Sequence, residues 1–444
     1  MPAHTIHAAG QQLRDRTVRA RDLLESCLER IDALDSTLNA FILVDRAGAR
    51  AAADLADVAL DAGRWRGPLH GVPVSLKDLL DQEGLPTTAG SRSMREVART
   101  DAPCVAHLRA AGAVFVGKCN MHEFAMGTTT DDSGFGPAHH PLDGARSPGG
   151  SSGGSAISVA TGMSLGTIGS DTGGSVRIPA AACGLVGLKP SWGEVSLDGV
   201  VPLSPTLDCV GPLATTVEDA WVLLNGLTGQ RRAMPDVPAL ASGRALVPWH
   251  LLTSGVDHDV RRAFDVALDR LRAAGLGTDD VTLATAPTFV PTYFTIVMAE
   301  AIAYHAPRMP EHAGEYTPRV RVRLDGVEPP PADEYTAALD QRAAIECEID
   351  ALVRTGDIVV LPALAIEPPP IGVESVRAGD VEMPVRAAML RLTQPFNMSR
   401  HAALTLPCGT TAAGFPVGFQ IVARSSADVV AWGRAMQGVF GYDR

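Results

Sequence analysis

The stretch 147–190, SPGGSSGGSAISVATGMSLGTIGSDTGGSVRIPAAACGLVGLKP, limits the fold of this chain more than any other. It holds two Gly/Ser clusters, GGSSGG at 149–154 and DTGGS at 171–175, between apolar runs. Glycine is used where a backbone must turn sharply or let another group come close. A serine among such glycines has the makings of a nucleophile surrounded by free backbone N–H groups. The apolar runs read as a helix over about 152–162, a strand at 164–169, a turn at DTGGS and a short helix after it.

Flanking segments extend that alternation. Apolar residues at helical spacing mark a helix over 17–34, with Thr17 as its N-cap, and an alanine-rich helix covers about 45–62. VPVSLKD at 72–78 reads as a strand, with Lys77 and Ser75 on the face opposite Val72, Val74 and Leu76. Pro73 argues against a central position for it, because proline cannot donate to a ladder. A helix at 101–112 precedes a strand at 113–118, and an amphipathic helix runs over 258–275. DIVVLPA at 357–363 and FPVGFQIVA at 415–423 read as late strands. The segments 307–332 and 367–384 read as surface excursions or lids. Helices alternating with short apolar strands predict an α/β fold, a sheet with helices on both faces.

Length alone, 444 residues, suggests about three domains. Hydrophobic residues at 46% and charged residues at 20% fit a globular protein with a large core. The 38 basic and 50 acidic residues leave a net charge of −12, which speaks against nucleic acid or an anionic membrane as the main partner. Seven cysteines with no CxxC spacing point to reduced thiols and a cytoplasmic location. The first residues lack the plan of a signal peptide. The uncharged run 281–299 carries two prolines and reads as a loop plus a buried helix rather than a membrane span.

The chemistry centres on Ser175. The N–H groups of Thr172, Gly173, Gly174 and Ser175 can converge on one point, as an oxyanion site requires. No histidine lies in either cluster, so a desolvated neutral lysine is one answer for the base. Ser151 offers a rival, since GGSSG matches the letters of a nucleophile elbow, but GARSP before it does not read as the strand that elbow needs. A Gly-rich loop that binds phosphate or merely turns is a third reading, although no P-loop pattern is present.

The combination GVPVSLKD, GKCNMHEFAMG, GGSSGGS and GSDTGGSVRIPAAACGLVGLKPSWGEVS, in that order, resembles the amidase signature family. The match runs from about 67 to 225 and returns at PFNMSRHAALTLPCG and GFPVGFQIVAR. The resemblance implies one α/β domain over 1–444 with a mixed central sheet, a signature core at about 67–225 and a variable substrate-side region at about 290–385. It implies a Ser–cis-Ser–Lys set: Lys77 as base, Ser151 as bridging serine after a cis peptide bond, and Ser175 as nucleophile. The oxyanion hole would be formed by the N–H groups of residues 172–175, and Phe124, Ala125 and Met126 would line the substrate pocket.

Supporting roles are expected of Ser152, hydrogen-bonded to Ser151, and of Asp171 and Arg177, paired beside Ser175. Cys183 reads as a packed core thiol. His122–Glu123 and His139–His140 match no zinc motif, so neither metal nor organic cofactor is expected. Arg319, Arg321 and Arg323 alternate with valines, which fits a solvated face better than contact with a substrate carboxylate.

The function implied is hydrolysis of a small-molecule carboxamide to carboxylate plus ammonia or an amine. The partner expected is that small amide alone, with no nucleic acid and no membrane; a homodimer stays open. Two alternatives stand beside it: the glutaminase subunit of a tRNA-dependent amidotransferase, and an amidase-like scaffold that only binds.

Overall fold

The computed structural model describes residues 5–354 and 356–441; the ends of the expected 1–444 unit, 1–4 and 442–444, lie outside the described residues. Its strands, in chain order, are β1 (Phe41–Val44), β2 (Pro73–Lys77), β3 (Val114–Cys119), β4 (Gly166–Asp171), β5 (Val186–Lys189), β6 (Cys209–Ala214), β7 (Arg244–Val247), β8 (Gly277–Asp280), β9 (Ile358–Pro362), β10 (Ser375–Ala378), β11 (Val381–Pro384), β12 (Ala402–Thr410) and β13 (Pro416–Ala423). β10 and β11 form a separate hairpin. The other 11 make one sheet in the order β1-β3-β2-β4-β6-β5-β12-β13-β9-β7-β8.

The sheet is mixed. β3, β2 and β4 run parallel, as do β9, β7 and β8, while antiparallel pairs join these two blocks through β6, β5, β12 and β13. Every residue of β2 to β6 and of β9 is buried, so both faces of the sheet must be covered. The cover comes from helices Arg46–Asp61 on β3, Gly153–Ala160 on β4, Val217–Thr228 on β6, and His258–Ala273 with Ser426–Phe440 on β12. The expected α/β sheet between helices is therefore present.

Several elements differ from expectation. The helix expected over 17–34 is Ala20–Leu38, with Arg19 and not Thr17 at its N-cap; the Thr17 hydroxyl donates instead to the Gln12 carbonyl. β2 is a central strand despite Pro73, because Pro73 is its first residue, where a missing N–H costs little. The run 281–299 resolves into a loop and helix Phe289–His305. That helix passes a length-and-composition test for spanning a membrane, but Tyr293, Ile296, Val297, Ala301 and Ile302 bury it in the core. The segment 307–332 is not a loose excursion: it forms helices Met309–His312 and Pro318–Leu324. The tail of 367–384 pairs as the β10–β11 hairpin. Cys183 is only partly buried and donates to the Pro148 carbonyl at 3.5 Å.

The parallel register of β2 and β4, Leu76 opposite Ile168, brings their carboxyl ends to one edge of the sheet. Lys77 ends β2 and Asp171 ends β4. The crevice outside the carboxyl ends of parallel strands is where α/β sheets place their ligands.

Candidate active site

At that edge the Lys77 side chain is completely buried and its Nζ lies 2.7 Å from Ser151 Oγ and 2.8 Å from Ser170 Oγ. Burial lowers the Lys77 pKa to about 7, with Asp208 and Asp171 pulling partly in the opposite direction. A lysine so placed is substantially neutral near pH 7 and able to accept a proton.

Ser151 follows a cis Gly150–Ser151 peptide bond. Its carbonyl accepts from the His122 N–H at 3.1 Å and from the Thr130 hydroxyl at 3.3 Å. The same hydroxyl donates to the Gly149 carbonyl and accepts from the Gly153 N–H, so Thr130 clamps both sides of the loop. Ser152 does not bond Ser151 as expected; its hydroxyl donates to the Ser170 carbonyl at 3.3 Å, fixing the loop to β4.

Ser175 sits in the turn between β4 and helix Arg177–Cys183. The N–H groups of Val176 and Arg177 donate to Asp171 Oδ2, which folds the turn back on the strand. The N–H groups of Thr172, Gly173, Gly174 and Ser175 donate to no described residue, leaving a row of unused donors beside the Ser175 hydroxyl. Gly174 has φ 141°, a conformation that glycine alone adopts without strain. A side chain on Gly173 would strike the Tyr293 hydroxyl and Leu390, and one on Gly174 would strike Thr393. Thr393 Oγ1 donates to the Gly173 carbonyl at 2.6 Å.

The expected Asp171–Arg177 pair is present and both partners are fully buried, 2.9 Å apart. Arg177 also donates to Gln420 Oε1 at 2.6 Å, Asn397 Oδ1 at 2.7 Å and the Thr393 carbonyl at 3.0 Å. Asn397 Nδ2 returns bonds to the Asp171 carbonyl and Oδ1. Burial alone would raise the Asp171 pKa, but the Arg177 charge carries it down to about 2. Asp208 accepts from the Thr172 hydroxyl and from the Leu203 and Ser204 N–H groups, and burial raises its pKa to about 6.

Phe124, Ala125 and Met126 lie in a tight buried turn, with φ of 50° at Phe124 and 57° at Ala125. Phe124 stacks on Tyr316 and meets His305 edge-on. Arg323 does not lie on a solvated face: it is half-buried and donates to the Met126 carbonyl at 2.7 Å. Arg319 reaches Asp131 at 3.3 Å. Among the described residues no group of three His, Cys, Asp or Glu side chains is placed to hold a metal ion. His139 and His140 bond instead to the Gly144 and Ala182 carbonyls.

Sequence reasoning missed Ser170, Asp208, Tyr293, Thr393, Asn397 and Gln420, all of which touch the Lys77 or Ser175 surroundings. Only Ser170 had a local signal, a hydroxyl beside Asp171 at the end of an otherwise apolar strand.

The family model described as Amidase matches residues 22–430. A glutamyl-tRNA(Gln) amidotransferase subunit from Anaeromyxobacter sp. (strain K) is 38% identical over 461 residues, covering 94% of this chain and 92% of the relative. A solved structure described as an amidase superposes with a TM-score of 0.93 at 35% identity, covering 98% of this chain and 99% of that one. The glutamyl-tRNA(Gln) amidotransferase subunit of the same name from Thermotoga maritima superposes with a TM-score of 0.74 at 29% identity, covering 94% and 91%. The tRNA in the relatives' name removes the ground for setting nucleic acid aside on net charge alone. The family match and these identities over nearly the whole length show that the chain belongs to the Amidase family and is an amidohydrolase acting on carbon–nitrogen amide bonds.

Proposed function

We propose that this protein hydrolyses a small-molecule carboxamide through an acyl-enzyme on Ser175, with Ser151 as relay and Lys77 as base. The observation that carries the reading is the buried Lys77 Nζ, 2.7 Å from Ser151 Oγ, at the strand edge where Ser175 and the unused N–H row are also placed. In the first step neutral Lys77 takes the Ser151 proton while Ser151 takes that of Ser175. The Ser175 oxygen bonds to the amide carbon. The N–H groups of residues 172–175 receive the oxyanion, a contribution worth about 3–4 kcal/mol per donor in comparable sites. Collapse breaks the C–N bond, and the relay returns the proton to the leaving nitrogen. Water then attacks the ester by the same route, releasing the carboxylate and the serine.

A stand-alone hydrolase is favoured over an amidotransferase subunit by the closer superposition on the solved amidase, TM-score 0.93 against 0.74. The curated relatives favour the second reading, in which the amide is glutamine and other subunits take part. Reduced cysteines, none of the seven in a disulfide, fit a cytoplasmic setting. The test is ammonia release from a panel of primary amides and glutamine by wild type and Ser175→Ala. Release by the isolated chain that vanishes in the variant is the expected result. Release only from glutamine, and only with partner subunits and tRNA present, would overturn it in favour of the second reading.

A further inference from the structure

A cavity of about 680 Å³ lies at the amino ends of β2 and β3, away from the Ser175 turn. Residues 65–69 lead into β2 and residues 110–111 into β3, so this wall sits at the strand ends opposite to Lys77. At the usual rise of a strand, the length of β2 puts about 15 Å between the two edges. The remaining wall is helix Val217–Thr228 with the strap 229–234 that follows it. The volume is that of a small-molecule site, about 300–1,000 Å³.

The strap has no regular secondary structure, and side chains hold it in place. Trp221 Nε1 donates to the Ala233 carbonyl and Asn225 Nδ2 to the Arg232 carbonyl, each at 3.0 Å. Arg232 Nε returns a bond to Asn225 Oδ1 at 2.9 Å, and Arg434 Nη1 donates to the Pro235 carbonyl at 2.6 Å. A wall fixed in this way costs a ligand little ordering.

The lining joins apolar and aromatic surface to positive charge. Trp65, Leu69, Trp221, Val222 and Met234 supply the first, and Arg66, Arg231 and Arg232 the second. Among the described lining residues none is Asp or Glu, in a chain with 50 acidic and 38 basic residues. Arg66 and Arg231 are exposed and make no hydrogen bond or ion pair to a described residue. Arg232 is fixed: its guanidinium lies 4.4 Å over the Trp221 ring, and Glu194, from outside the lining, takes its Nη1. Its Nη2 is buried and has no partner. A buried guanidinium N–H without an acceptor is costly, and a carboxylate oxygen is the acceptor that suits it. Indole walls favour a flat ring beside that charge.

We propose that this cavity is a second binding site, which takes a small aromatic acid. The ring lies against Trp65 and Trp221, and the carboxylate accepts from Arg232 Nη2 with Arg66 and Arg231 contributing charge. The site does not depend on the reading of Ser175.

The test is calorimetry with naphthoate and with naphthylmethylamine, which carries a similar ring on a positive charge. Wild type should bind naphthoate at least about tenfold more tightly than the amine. Arg232→Met should weaken naphthoate by about tenfold to 100-fold, the size of a hydrogen bond to a charged group, and leave the amine as it was. Ala110→Phe places a ring in the cavity from an exposed position of helix Pro103–Ala110 and should weaken both ligands. That variant leaves the strap bonds intact, so it tests the site even where Arg232→Met loosens the strap. No binding of naphthoate by wild type, or equal binding of acid and amine, would overturn the proposal. Binding that survives both variants would place the ligand elsewhere, the Ser175 site included, and overturn it too. A dimer in sedimentation that Ala110→Phe breaks, with no naphthoate bound, would give this face to a second copy of the chain instead.

Discussion

Two arginine environments, one fully buried and one partly exposed, lie in the half of the molecule that carries the Ser175 turn, and they are built on opposite principles. Arg177 is fully buried and has its guanidinium spent on Asp171, Asn397, Gln420 and the Thr393 carbonyl. Arg323 and Arg386 are only partly buried; Arg323 donates to the Met126 carbonyl, and Arg386 makes no hydrogen bond or ion pair to a described residue. A saturated buried network fixes geometry, because any displacement leaves a polar group unpaired. A partly exposed arginine keeps much of its hydration and adds little to stability. The turn is therefore braced from the far side by a closed network, while the side open to substrate keeps its donors free.

The largest effect should come from the centre of the braced side. Ser175→Ala should lower amide turnover by about 10⁴- to 10⁶-fold, as loss of a nucleophile does in other serine hydrolases. Ammonia release measures it, and a loss of less than about tenfold would remove Ser175 from the mechanism. Next is the brace. Arg177→Met leaves Asp171 buried and unpaired and should cost about 3–5 kcal/mol of unfolding free energy in urea. A cost below about 1 kcal/mol would show that the network is not what holds the turn.

Lys77 supplies a pH signature on the same side. Its folded pKa is lowered to about 7, and the neutral form is the base. kcat/KM should therefore be flat above about pH 8 and fall roughly tenfold per unit below about pH 6. A flat profile from pH 5 to 9 would mean that Lys77 is not the titrating base.

How much of this was legible in the sequence follows the distance in sequence between partners. Lys77, Ser151 and Ser175 lie in short motifs whose glycines and serines have few other uses, and the strands on either side carry their own apolar patterns. The brace was half visible: Asp171 and Arg177 are six residues apart, but Asn397, Gln420 and Thr393 come from more than 200 residues away, and no local pattern marks them. Helix Pro318–Leu324 was missed because R-V-R-V-R alternates like a solvated strand; proline just after Thr317 is the helix-start signal that outweighs it. Arg386 follows an irregular stretch with no periodicity to show which way it faces.

A smaller effect probes the link between the two sides. Thr393 donates to the Gly173 carbonyl, while its own carbonyl accepts from Arg177, so it ties the turn to the brace. Thr393→Val keeps the shape and removes the hydroxyl, leaving a buried carbonyl without that donor. It should cost about 1–3 kcal/mol. The urea midpoint reports this, and kcat should fall with it if the turn loosens.

The smallest effect is the sharpest contrast with Arg177. Arg386 is half-exposed and makes no hydrogen bond or ion pair to a described residue. Arg386→Met keeps most of the aliphatic stem and removes the charge. Its unfolding free energy without ligand should therefore lie within about 0.5 kcal/mol of wild type, the range of substitutions away from packed or paired features. Removing the like charge should also let the Arg323 pKa rise, since Arg386 is one cause of its depression. Equal losses for Arg177→Met and Arg386→Met would erase the difference between the two walls. A loss confined to Arg177→Met is what a fold with one closed, buried network and one partly exposed arginine requires.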